Sequence, residues 1–170
     1  LKNHKAFADG FYLDAMAGLN SGELQAPDRI IVSLPPLGVA ESAFRIRDYL
    51  REKKSVIQTA KGAVITIPWE VVVDIMDAWP EAFYQVLPMR LRSFLGPKLL
   101  ASMHRSAMRA YLGADKISGV GQSYLDLAQS YLHGERSSPD GLDHNKNATG
   151  VSLLETRLHL CYHGTDLSRF

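Results

Sequence analysis

Pro68-Trp69-Glu70-Val71-Val72-Val73-Asp74-Ile75-Met76-Asp77-Ala78-Trp79 stands near the middle of the chain, and its reading decides the fold. Proline is well tolerated in the first turn of a helix, and Val72, Ile75, Met76 and Trp79 then share one helical face. The stretch is therefore expected to be a helix. Asp74 and Asp77, one turn apart, fall on its wet side, where two carboxylates would share a proton or hold Mg²⁺ only under unusual constraint.

This reading confines β structure to residues 28–68. Asp28 to Leu34 is a β-branched run stopped by Pro35-Pro36, which predicts a strand. Val56–Thr59 and Val64–Ile67 flank Ala60-Lys61-Gly62-Ala63 and predict a hairpin. Between these, Val39, Ala43, Ile46 and Leu50 form the apolar stripe of a surface helix.

On the N-terminal side, Phe7, Phe11, Ala15 and Leu19 recur at four-residue spacing until Asn20-Ser21-Gly22, which predicts a first helix. On the C-terminal side Pro80, Pro88 and Pro97 cut the chain into short helical pieces. The strongest helical pattern runs from Pro97 to Leu112, closed by Gly113, with Leu100, Met103, Ala107 and Tyr111 inward. Beyond a glycine-rich loop, Val120, Tyr124, Leu127 and Tyr131 mark another helix. Residues 135–150 are polar and read as a flexible loop or tether, followed by an amphipathic helix within 151–170.

The expected architecture is α+β and predominantly helical, with a small three-stranded sheet in about residues 28–68 packed by several helices. Residues 1–134 form one compact domain in this reading. With 170 residues and 46% hydrophobic content the chain is long enough to bury a core, and 22% charged residues exclude a largely disordered polymer. A lone cysteine, Cys161, fits a reducing compartment, and no apolar run approaches the roughly 20 residues of a membrane helix. The expected setting is the cytoplasm or an intracellular complex, without membrane contact. Leu1 in place of an initiator Met reads as a processed or trimmed end.

A net charge of +1 gives no global attraction to nucleic acid, but the charge is segregated. No acidic residue occurs between Glu81 and Asp115, while Arg90, Arg92, Lys98, Arg105 and Arg109 all fall there. Lys98, Arg105 and Arg109 lie at i, i+7 and i+11 with Ser102 between them, on the side of the helix away from its apolar face. Guanidinium groups offer forked donors to phosphate, so this face is the candidate nucleic-acid contact, for RNA or DNA.

Other constellations carry less. Glu155, His159 and His163 at i, i+4 and i+8 would put a carboxylate and two imidazoles on one face of the last helix, a spacing open to zinc but lacking the zincin glutamate. Asp143, Asn145 and Asn147 begin like a calcium loop, which then fails at Ala148 and Leu154. Trp69, Trp79, Phe83 and Tyr84 surround a proline-broken turn and read as core or an interface anchor. Kinase, P-loop, hydrolase-elbow, zinc-finger and RNA-recognition signatures each fail on a residue or a spacing. No catalytic set, metal site or cofactor is assigned. The expected function is a non-enzymatic binding or assembly module, with nucleic acid as partner through the basic face. One alternative is a hydrolase or metal-dependent enzyme built on Asp74/Asp77 or Glu155/His159/His163. Another is a protein-protein module that meets a partner, or itself, through the C-terminal helix.

Overall fold

A computed structural model describes residues 2–54, 57–58, 64–65, 69–89, 96–133 and 157–160. The elements are α1 (Lys2–Ser21), β1 (Arg29–Leu34), α2 (Gly38–Lys54), β2 (Ile57–Gln58), β3 (Val64–Ile65), β4 (Glu70–Ile75), α3 (Glu81–Val86), α4 (Gly96–Gly113), β5 (Lys116–Gly119), α5 (Gln122–Leu132) and β6 (Leu158–Leu160). The helix-rich α+β class is as expected. The sheet is not.

Residues 70–75 are a strand, which corrects the helix expected after Pro68. Three consecutive valines and an isoleucine are stiff at χ1 and fit a pleated surface better than a helical one. Val71, Val73 and Ile75 are fully buried while Glu70, Val72 and Asp74 are half-buried, which is a two-residue period. The helical spacing of Val72, Ile75, Met76 and Trp79 is a coincidence within a continuous apolar run of the kind central parallel strands display.

The main sheet has four strands in the order β1-β4-β5-β6, every neighbouring pair parallel, so the three-stranded sheet expected in residues 28–68 is also corrected. Only β1 of that expectation joins it; β2 and β3 pair antiparallel in a separate two-stranded ribbon, as the hairpin reading requires. Lys116–Gly119, expected to be a loop between helices, is β5. Residues 158–160, expected to be helical, are the edge strand β6, with Leu158 opposite Ile117 and His159 opposite Ser118. Pairing with β5 supplies what a three-residue strand cannot signal by itself. The tether expected at 135–150 and the remainder of the expected last helix lie outside the described residues.

The strands follow one another across the sheet in chain order. Right-handed crossovers then place the connecting helices on one face. Val32, Leu34, Val71, Val73, Ile75 and Ile117 point to that face and pack with Ala40 and Ala43 of α2, Ala107, Ala110 and Tyr111 of α4, and Leu125, Ala128 and Tyr131 of α5. The expected stripe of α2 is buried as read, from Val39 to Leu50. So is that of α4 through Leu100, Ala107 and Tyr111. Helix α1 packs on α2 at the β1 side, where Leu19, Ile46, Leu50 and Trp69 form a second cluster. Of its four-residue repeat, Leu19 is buried and Ala15 packs beside it, whereas Phe7 is 60% exposed and the neighbouring Ala8 is buried instead.

Asp115 ties the N-terminal ends of β4 and β5 to α2. Its carboxylate accepts the Val71 N–H at 2.8 Å, Arg47 Nη1 at 2.9 Å and Arg51 Nη2 at 3.0 Å, while the Asp115 N–H donates to the Val71 carbonyl at 3.0 Å. Arg157 caps the end of α4 by donating to the carbonyls of Tyr111, Leu112 and Ala114. No helix among the described residues is long and apolar enough to cross a membrane.

Candidate functional site

In parallel β-helix-β units, ligands gather where strands end and helices begin. Leu34 pairs with Ile75, so the segments leaving β1 and β4 emerge side by side. The first delivers Leu37, Gly38 and Glu41 at the start of α2, and the second delivers Trp79 and Phe83. Together with α1 and α4 they enclose a groove of about 630 Å³. That volume suits a ligand of nucleotide size.

Its lining is amphipathic. Ala8, Leu37, Trp79, Phe83 and Met103 supply apolar surface, and Trp79 and Phe83 pack edge to face with ring centroids 4.8 Å apart. The ionic groups are Lys5, Asp9, Glu41, Arg45 and Arg109, and Ser102 and Ser106 add hydroxyls. The Arg109 Nε donates to Glu41 Oε1 at 2.7 Å, and its Nη2 reaches Ser106 Oγ at 3.4 Å. Both partners of that ion pair are largely exposed, at 61% and 43%, so water weakens it. Arg45 lies over the Tyr12 ring, 3.6 Å from its centroid. Ser42 is buried and donates to the Ala8 carbonyl at 2.8 Å, fixing α1 against α2 beneath the groove.

Helix α3, which carries Phe83, is held by a chain of polar contacts. Tyr131 Oη donates to Glu81 Oε1 at 2.9 Å and also meets His104 Nδ1; His104 Nε2 lies 3.2 Å from Tyr84 Oη. If the tyrosine hydroxyl gives its proton to the carboxylate, Nδ1 must donate to it, which leaves Nε2 of the neutral ring as acceptor from Tyr84. One tautomer is consistent with all three of these contacts. The Trp79 indole N–H is in turn accepted by Asp77 Oδ2 at 3.1 Å.

The expected site residues are distributed unevenly. Arg109 and Ser102 line the groove, while Lys98 and Arg105 are exposed on the same helix and are not among its lining residues. Arg90 and Arg92 lie outside the described residues. Asp74 and Asp77 do not share a helix face: Asp74 sits in β4 and accepts Ser118 Oγ at 2.6 Å, whereas Asp77 caps the following turn through the Ala78 N–H at 2.8 Å. His159 is in a strand, so the helical spacing required of Glu155, His159 and His163 does not apply to it; Glu155 and His163 lie outside the described residues. Among the described residues no three His, Cys, Asp or Glu side chains are grouped to hold a metal ion.

Lys5, Asp9, Glu41 and Arg45 escape a sequence reading because they come from α1 and α2, far in sequence from Arg109. No local motif joins them. The sequence groups Trp69 with Trp79, Phe83 and Tyr84, but Trp69 is only 2% exposed and belongs to the second core cluster. No known protein family, curated protein or solved structure matches this chain.

Proposed function

We propose that this domain is a non-enzymatic binding module that takes a nucleotide unit of nucleic acid into the groove beside α4. The observation that carries the reading is the presence of Arg109 and of the aromatic pair Trp79 and Phe83 in one lining. A base stacks on aromatic rings at about 1 to 3 kcal/mol, and a guanidinium binds phosphate without regard to sequence. Lys98 and Arg105 are exposed on the same helix, outside the groove.

The test is fluorescence anisotropy of a 3′-labelled single-stranded oligonucleotide that carries a 5′ phosphate, over a range of salt. Replacing Arg105 and Arg109 together by Glu is expected to weaken binding and to reduce the salt slope by about one unit for each phosphate no longer neutralised. Both positions are exposed, so the fold should survive. An unchanged slope would refute the reading.

A further inference from the structure

The ion pair between Arg109 and Glu41 bears on which phosphate the groove accepts, and this inference rests on the binding reading above. The lining holds three cations, Lys5, Arg45 and Arg109, against two carboxylates, Asp9 and Glu41. Arg109 is already engaged by the Glu41 carboxylate at 2.7 Å. An anion that takes the Arg109 Nε must therefore displace a resident anion.

An internal phosphodiester carries one negative charge, as Glu41 does. Exchanging one for the other on Arg109 gains little, and it leaves Glu41 beside the new anion without its partner. A terminal phosphate monoester carries two charges above its second pKa of about 6. Its second charge strengthens the attraction to Arg109 and to the net positive lining, and this excess outweighs the repulsion from Glu41. Because a solvent-exposed ion pair is weak, the resident carboxylate is displaceable and still able to discriminate.

We propose that the groove selects the doubly charged terminal phosphate of a nucleotide, free or at a strand end, and that Glu41 is the residue that rejects phosphodiesters. The base rests on the Trp79 and Phe83 side of the lining. Ser106, at the Arg109 guanidinium, adds a hydroxyl donor for a phosphate oxygen.

The chain has two tryptophans, and Trp69 is 2% exposed in another cluster, so quenching by a ligand reports on Trp79. The full chain is titrated with adenosine 5′-monophosphate and with its singly charged methyl ester, and with a short oligoadenylate with and without a 5′ phosphate. The monoester is expected to bind about tenfold more tightly than the methyl ester, a preference lost as pH falls below about 6. Glu41→Gln should shrink that ratio to less than about threefold, chiefly by improving the methyl ester. Arg109→Gln should weaken both.

Tighter binding of the free monophosphate than of the phosphorylated strand assigns a mononucleotide ligand; the reverse order assigns a strand end. Equal affinity for ester and monoester in the unaltered protein, or a ratio that Glu41→Gln leaves in place, overturns the selectivity while the groove reading stands. No quenching or binding by any of the four ligands overturns both.

Discussion

Asp115 offers the sharpest test of how this fold is held at the end opposite the groove. In Asp115→Ala the Val71 N–H, on a fully buried residue in the central strand, loses its side-chain acceptor, at a cost of about 1 to 3 kcal/mol. Arg47 keeps the Gly113 carbonyl and Asp48 as partners, so its loss adds about 1 kcal/mol. Arg51 is substantially exposed and adds little. The sum is about 2 to 4 kcal/mol, or about 6 to 12 °C in Tm at its middle value. Asp115→Asn retains an oxygen for the Val71 N–H and should cost about half as much. Burial pushes the Asp115 carboxyl up, but the Val71 N–H and the Arg47 and Arg51 guanidinium groups outweigh it and hold the group below its ordinary value of 3.8. A depressed carboxyl stabilises the fold above its unfolded pKa and loses that contribution as pH falls through the folded value. The gap between wild type and Asp115→Asn should therefore be full at neutral pH and close below about pH 3.8. Urea unfolding followed by tryptophan fluorescence measures both effects. A cost for Asp115→Ala under about 1 kcal/mol, or a gap to Asp115→Asn that persists in acid, refutes the argument.

Val73→Ala should cost about 2 kcal/mol and Val72→Ala under about 1, since only Val73 is fully buried in the helix-covered core; equal costs in urea would contradict the strand register. Tyr131→Phe removes the hydroxyl shared by Glu81 and His104 and is expected to lower stability by about 1 to 2 kcal/mol by urea unfolding. Gly113→Ala should lower Tm in a thermal scan, because a Cβ there would stand 2.5 Å from the Phe44 ring and the ring must move.

What is legible in the sequence follows from how many independent signals each element carries. Helices α2 and α4 have long apolar stripes at helical spacing, and Gly113 closes α4; the residues the pattern names are buried, except Met103, which is partly so, and Ala40 and Ala110 join them. Helix α1 is legible as a helix, but its repeat names only half of the packed face: Leu19 and Ala15 pack inward, while at the other end Ala8 replaces Phe7 because the smaller side chain permits closer approach to α2. Strand β4 satisfies both the helical and the strand period, and the proline before it tips the reading the wrong way. Strands β5 and β6 are four and three residues long, and their only strong determinant is the neighbour they pair with. Arg109 is legible as part of a basic stripe. Its surroundings are not, since charge segregation along a chain says nothing about which helix packs against which.

The misreading of residues 70–75 and the invisibility of the groove have one cause. If that segment were a helix, nothing would bring Trp79 beside the first turn of α2. Once it is a strand parallel to β1 in the observed register, Leu34 and Ile75 are paired, and the residues three or four further on in each chain segment must emerge at the same edge of the sheet. Those residues are Leu37, Gly38 and Trp79, all of which line the groove. Helix α4 then lies on the same sheet face as α2, with its apolar side toward the strands and its Ser102, Ser106 and Arg109 side turned to close the groove against α1. The basic stripe acquires a cavity only through a parallel β1-β4 pair. A probe of that pairing, such as Val73→Ala against Val72→Ala, is therefore also a probe of the site.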